Sequence, residues 1–165
     1  MTTAVVPGSF DPFTIGHLDL VRRAAALADT VIVAVSHNPN KTHLLDHTTR
    51  VSTIRDSLTQ AGLSSVRVEA LPTGLLVDFA RQHGATHLIK GLRSSLDLAY
   101  EEPMARMNHS LEGIDTAFLL TAPELAHISS SLIREIAQLG RDVTDYVPAP
   151  VHTALTAALA AQHQN

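Results

Sequence analysis

The sequence has no cysteine and no tryptophan, and only 4% of its 165 residues are aromatic. Without cysteine there can be no disulfide framework, thiolate zinc site, iron–sulfur cluster or Cys nucleophile. Positive charge is not in excess either, since 12 Lys+Arg face 16 Asp+Glu for a formal net charge of −4. Bulk electrostatics therefore give no reason to expect nucleic acid or an acidic membrane surface as a partner, and any bound anion must be held by a local cluster. No apolar run approaches the ~20 residues that cross a bilayer. The start, Met1-Thr2-Thr3-Ala4-Val5-Val6, lacks the basic and long apolar regions of a signal peptide. These absences predict a cytoplasmic protein.

What is present is enough apolar material, 45% of residues, to bury a core. The length suits one domain over residues 1–165, within the roughly 100–200 residues usual for a domain. Short apolar runs alternate with amphipathic stretches. Ala4-Val5-Val6 reads as a strand ending at Pro7-Gly8, followed by a helix from about Gly16 to Ala28. Thr30 to Val35 is β-branched and uniformly apolar, as in a strand buried on both faces. A polar loop from Ser36 to Asp46 leads to a helix starting near His47, with Asp46 as N-cap. Val66–Ala70, His87–Ile89 and Thr116–Leu120 read as further strands. Helices are expected over Leu75–Gln82, stopping at Gly84, and from about Ser95 to Leu111. Two more start at Ser130 and Pro150, the last running to about Ala161. Repeated strand–helix alternation predicts an α/β, Rossmann-like, doubly wound sheet of about five parallel strands with helices on both faces.

Ligands of such sheets bind outside the carboxyl ends of the strands. The segments expected there are Pro7–Pro12, Ser36–Lys41, Leu71–Gly74, Lys90–Arg93 and Thr121–Pro123 leading to Ser129-Ser130-Ser131. Any one could be an ordinary strand–helix turn. Recurrence of Lys41, Lys90, Arg93, glycines and hydroxyls on one sheet edge instead suits a polyphosphate. In the first turn Gly8 would permit close backbone approach, Ser9 would offer a hydroxyl, and Gly16 would leave space beside a helix N-terminus that favours an anion. His17 would sit in that first helical turn, aimed at the anion. Neither GxGxxG nor GxxxxGKS is present.

Pro7-Gly8-Ser9-Phe10-Asp11-Pro12 followed by Thr14-Ile15-Gly16-His17 resembles the T/HxGH signature of the nucleotidyltransferase superfamily. Asn38-Pro39-Asn40-Lys41, Ile89-Lys90-Gly91-Leu92-Arg93, Met107-Asn108, Ile128 to Leu132, Gly140-Arg141-Asp142-Val143 and Val147-Pro148 extend the likeness. Together, from Ala4 to about Leu159, they resemble the bacterial phosphopantetheine adenylyltransferases.

That resemblance implies transfer of AMP from ATP to 4′-phosphopantetheine, giving dephospho-coenzyme A and pyrophosphate in coenzyme A synthesis. The acceptor is already a phosphate dianion, so no general base or covalent enzyme intermediate is required, and positioning with charge stabilisation suffices. By the motifs, Ser9 and His17 would contact the α-phosphoryl group. Lys41 would bridge the acceptor phosphate and the reacting phosphoryl group, Lys90 would hold the acceptor phosphate, and Arg93 the β/γ-phosphates. The catalytic set is thus Ser9, His17, Lys41 and Arg93. ATP would further touch Phe10, Gly91, Leu92, Glu101 and the Leu125-Ala126-His127-Ile128-Ser129-Ser130-Ser131 segment. Leu75, Leu76, Met107 and Asn108 would line the pantetheine arm. Mg²⁺ would arrive with ATP, held mainly by phosphates and water. The family also implies a homohexamer and coenzyme A as a feedback ligand.

Ser9 and Lys90 stand where many members carry threonine and arginine. Asp97-Leu98-Ala99-Tyr100-Glu101 lacks one aromatic and one carboxylate of the usual run, and Leu125-Ala126-His127 lacks an aromatic. Two other readings stay open: a nucleotidyltransferase with a different acceptor, such as glycerol phosphate or nicotinamide mononucleotide, and a nucleotide-binding regulator on the same fold.

Ten histidines invite a metal site. His43/His47 and His83/His87 have i,i+4 spacing, but the Asp46 cap and Gly84 should keep each pair off a shared helix face. His37, His109, His127, His152 and His163 have no partner nearby in sequence. The expectation is one histidine with a specific task, His17, and nine that are mostly surface residues.

Overall fold

A computed structural model describes residues 1–38 and 40–162; Pro39 of the Asn38–Lys41 motif and His163 lie outside the described residues. The strands are β1 (Thr3–Gly8), β2 (Thr30–Ser36), β3 (Arg67–Leu71), β4 (His87–Leu92) and β5 (Asp115–Leu120). The helices are α1 (Ile15–Ala25), α2 (His47–Gln60), α3 (Leu76–Gln82), α4 (Ser95–Glu112), α5 (Ser130–Gln138) and α6 (Ala149–Gln162). All strand pairs are parallel, in the order β3-β2-β1-β4-β5. This is the α/β Rossmann-like sheet that the strand–helix alternation predicts.

Strand periodicity explains the two cores. Ala4, Val6, Val31, Val33 and Val35 face one side, where they pack with Val21 of α1, Ile54 and Leu58 of α2, Ile133 of α5 and Val151 of α6. The intervening Val5, Ile32 and Ala34 face the other side and meet Phe79 and Ala80 of α3. Every residue from Val31 to Val35 is buried, so the uniform apolar run reflects burial of both faces. Each buried valine or isoleucine of that run contributes about 1.5–3 kcal/mol by leaving water.

Asp46 caps α2, its carboxylate accepting the Thr49 N–H at 2.7 Å. Helix α1 is shorter than its sequence pattern suggests. It stops at Ala25 because Leu27 and Ala28 fold their N–H groups back to Ala24 to enter β2. Lys90, Gly91 and Leu92 were expected beyond the fourth strand, yet they lie within β4. Pairing with β5 carries that strand on through Leu92↔Leu120. Among the described residues, no helix is long and apolar enough to cross a membrane.

The sheet opens where β1 meets β4. These strands pair only at Ala4↔His87 and Val5↔Leu88, whereas β1 stays paired with β2 as far as Gly8↔Val35. The Thr3 carbonyl faces β4, accepting the Thr86 N–H at 2.8 Å. Alternation places Val5 and Pro7 on that same side, and proline has no N–H to continue the ladder. Beyond Val5 the strands part, at the point where strand order reverses.

Candidate active site

The gap between β1 and β4 is the floor of a cavity of about 520 Å³. Its walls come from the turn after β1 (Ser9, Phe10), the start of α1 (Thr14, Gly16, His17), β4 and the residue after it (Lys90, Gly91, Arg93), the first turns of α4 (Asp97, Tyr100, Glu101) and the start of α5 (Leu125 to Ser131, in part). Two helix N-termini, those of α1 and α5, therefore open onto one crevice. Their unpaired N–H groups favour an anion there.

The first turn is built around His17. Thr14 is the N-cap of α1, and its hydroxyl accepts the His17 backbone N–H at 3.3 Å. In return, the Thr14 backbone N–H donates to Nδ1 of the His17 ring at 3.0 Å. This is a capping box with histidine in the place usually held by Glu or Gln. An amide N–H can only donate, so Nδ1 is the unprotonated nitrogen and Nε2 carries the hydrogen. Phe10 meets the ring edge-on at 5.0 Å between centroids, and Phe13 stacks on it at 5.6 Å. Burial among these groups, helped by the Arg93 charge, lowers the His17 pKa from 6.5 to about 4. His17 is a neutral, oriented N–H donor at neutral pH.

Gly8 lines the cavity and also makes room within the turn itself. A Cβ at Gly8 would lie 2.8 Å from the Phe10 ring, so the close approach it permits is that of this ring. Phe10 itself has φ of +49°, a left-handed conformation uncommon for a non-glycine residue. The ring over Gly8 and the contact with His17 hold it there.

The cavity cations are already paired. Lys90 is ion-paired with Glu101 of α4. Arg93 contacts Asp97 through Nε at 3.2 Å, while its backbone N–H donates to the same carboxylate at 2.8 Å. A third cation, Arg134 of α5, donates to the Asp11 backbone carbonyl and lies 3.9 Å from its carboxylate. Ser129 caps α5, accepting the Leu132 N–H at 3.2 Å, and the Ser130 hydroxyl donates to the Pro12 carbonyl at 2.8 Å. Each cation is thus held in place yet can exchange a carboxylate or carbonyl for a phosphate oxygen.

Of the residues singled out in the sequence, the crevice gathers Ser9, Phe10, His17, Lys90, Gly91, Arg93, Glu101, Leu125, Ile128, Ser129, Ser130 and Ser131. Lys41 is exposed outside the lining, so the cations around the cavity are Lys90, Arg93 and Arg134, not Lys41, Lys90 and Arg93. Leu92 is buried and does not line the cavity. Ala126 and His127 also fall outside the lining; the His127 ring instead meets Tyr146 edge-on at 6.2 Å. Leu75 is exposed at the start of α3, whereas Leu76 packs into the smaller core. On α4, Met107 is exposed and Asn108 buried, both away from the cavity.

Arg134 was missed by sequence reasoning, although its position carries a signal. It lies four residues after Ser130, one helical turn on, and so shares that residue's face.

The histidines need a correction. His43 is largely enclosed, with Nδ1 at 3.4 Å from Asp11. His47 meets the Val35 carbonyl at 3.0 Å, and His83 bridges the Phe79 carbonyl and Glu69, both at 2.8 Å. These three are structural links between segments and not surface residues: a backbone carbonyl or a carboxylate holds the His47 and His83 rings, while His43 is enclosed beside Asp11 with its Nε2 left without a partner among the described residues. Among the described residues, no three His, Asp or Glu side chains are grouped to hold a metal ion.

Residues 5–136 match the cytidylyltransferase-like family model. The chain is 55% identical over 153 residues to a phosphopantetheine adenylyltransferase from Clavibacter michiganensis, covering 92% of this chain and 94% of that one. It is 50% identical over 155 residues to one from Leifsonia xyli, covering 94% and 98%. Among solved structures, it superposes with a TM-score of 0.74 on a bifunctional NMN adenylyltransferase/ADP ribose pyrophosphatase from Francisella tularensis, at 17% identity over 94% of this chain and 49% of that one. That last likeness is one of fold.

Proposed function

The chain belongs to the phosphopantetheine adenylyltransferases of the cytidylyltransferase-like family, and from that membership we propose that it transfers the adenylyl group of ATP to 4′-phosphopantetheine. The products are dephospho-coenzyme A and pyrophosphate. The observation that carries the reading is the His17 ring, locked by Thr14 so that a neutral Nε2–H borders a crevice walled by Lys90, Arg93 and Arg134.

In this reading a phosphate oxygen of the acceptor attacks the α-phosphorus of ATP in line. The bond from that phosphorus to the bridging oxygen breaks, and pyrophosphate leaves with the electron pair. No proton has to be removed from the nucleophile, which suits a site whose histidine is neutral and whose Nδ1 is occupied. His17 and Ser9 contact the α-phosphoryl oxygens, where negative charge is crowded in the transition state. Arg93, with the N-terminal turn of α5, takes the leaving phosphates. Lys90 takes the acceptor phosphate, exchanging its bond to Glu101 for one to the ligand, and Lys41 completes the site from the loop after β2.

ATP enters as its Mg²⁺ complex. That ion would be held mainly by the phosphates and water, with no dedicated protein cage. Coenzyme A, which contains the product's skeleton, competes for the same crevice. Exposed Leu96, Met104, Met107 and Leu111 along α4 suit burial between copies in a homohexamer. The protein works in the cytoplasm.

The test is an acceptor screen. With ATP and Mg²⁺, 4′-phosphopantetheine should release pyrophosphate, while glycerol phosphate and nicotinamide mononucleotide should not. Turnover with one of the latter alone would transfer the assignment to that acceptor, and ATP binding without turnover on any acceptor would favour a regulator.

A further inference from the structure

Asp11 is among the most enclosed charged residues of the protein, at 2% exposure, yet it does not line the cavity. Its two carboxylate oxygens accept separate backbone donors from a segment more than thirty residues away. Oδ2 accepts the Leu44 N–H at 2.9 Å and Oδ1 the Leu45 N–H at 3.0 Å. The Nδ1 of His43 lies 3.4 Å from Oδ2. On its other side, the Asp11 backbone carbonyl accepts from Arg134 of α5, which does line the cavity. A second buried charge, Arg50, ties the same pieces together. Its Nε donates to the Leu45 carbonyl at 3.1 Å, and its Nη1 donates to the carbonyls of Ser9 and Ser36.

These bonds fix both ends of the loop that carries Lys41. Ser36 is its start, and Leu44 and Leu45 are its return. Between them, the backbone bonds of the described residues are internal to the loop: Lys41 N–H to the Asn38 carbonyl at 3.1 Å and Asn40 N–H to Asn38 Oδ1 at 2.9 Å. The placement of Lys41 relative to Ser9 and His17 therefore depends on the clamp at residues 43–45.

We propose that Asp11 is a positioning residue that locks the Lys41 loop to the phosphoryl-binding turn, so that Lys41 acts at a fixed distance from His17. The inference rests on the role given above to Lys41. A carboxylate is needed because both of its oxygens accept. An amide in its place would aim an NH₂ group at a backbone N–H, leaving one donor facing another. Loss of the lock should impair the chemical step more than ATP binding, since a misplacement of about 1 Å can cost on the order of 10²-fold in rate.

The experiment is a double-mutant cycle of Asp11→Asn and Lys41→Ala, read by kcat and ATP affinity, with amide hydrogen exchange on the Asp11→Asn protein. Asp11→Asn should lower kcat roughly 10²-fold with ATP affinity nearly unchanged, and in the Lys41→Ala background it should add no more than about twofold. Exchange at residues 40–45 should rise while β1 and α5 stay protected. Full multiplicativity of the two losses, or unchanged exchange at Leu44 and Leu45, overturns the role of Asp11 even if the activity itself is as described. A fully active Lys41→Ala enzyme instead removes the role of Lys41 and the proposal with it. If Asp11→Asn does not fold, insertion of two glycines between Lys41 and Thr42 leaves the clamp intact and uncouples the lysine. The same kcat loss with an unchanged Tm is then expected, and undiminished activity would overturn the proposal.

Discussion

The backbone N–H of Thr14 donates to Nδ1 of His17 at 3.0 Å, so the ring's orientation and its tautomer are set by one bond. A capping interaction that elsewhere only stabilises a helix start here delivers a fixed hydrogen-bond donor, Nε2–H, to the crevice. Helix formation and site assembly are the same event at this position.

His17→Ala removes that donor. Loss of one such preorganised donor typically costs about 10²–10³-fold in kcat, and that range is expected here. ATP affinity should change far less, because Arg93 and the start of α5 remain. Steady-state kinetics beside calorimetric ATP titration will separate the two, and an undiminished kcat would remove His17 from the mechanism.

The ring's ionisation carries a sign that can be checked. Its pKa falls from 6.5 in the unfolded chain to about 4 in the folded one. Between these values the unfolded chain binds more protons, so the His17 contribution to stability is complete above about pH 6.5 and is lost as pH falls toward 4. NMR titration of the imidazole should show a neutral ring with protonated Nε2 down to about pH 5. A midpoint near 6.5 would show that the enclosure by Phe10 and Phe13 is not felt.

Gly8→Ala tests the packing of the turn. The new Cβ would stand 2.8 Å from the Phe10 ring, which must move off both Gly8 and His17. Overpacking of this kind costs about 1–3 kcal/mol. A lower Tm and a raised His17 pKa are expected together, and an unchanged Tm would mean that Phe10 has room to turn away.

Arg134→Ala should weaken ATP binding. Charged hydrogen bonds are worth about 1.5–3 kcal/mol, which corresponds to roughly 10- to 100-fold in KM. Arg134→Lys keeps the charge and should recover much of the loss. Equal KM values in wild type and Arg134→Ala would confine the guanidinium to bracing the Asp11 carbonyl.

Local pattern determined a good deal. Thr30 to Val35 announced a strand buried on both faces, Asp46 announced a helix start, and Thr14-Ile15-Gly16-His17 marked the turn that builds the site. These features depend on backbone and side-chain preferences that act within a few residues. Order among the strands is not of that kind. That β1 lies beside β4, and that Pro7 ends their ladder to open the crevice, depends on a pairing between segments about eighty residues apart. The same holds for the partners of the cations. Glu101 on Lys90 and Asp97 on Arg93 pair two cations with carboxylates, and the Asp11 carbonyl restrains Arg134, in a cluster that the sequence shows only as scattered charge. The deficit of positive charge in the whole chain thus has little bearing on the crevice. There, two helix starts and three restrained cations meet, and only the packing of the sheet decided that they would.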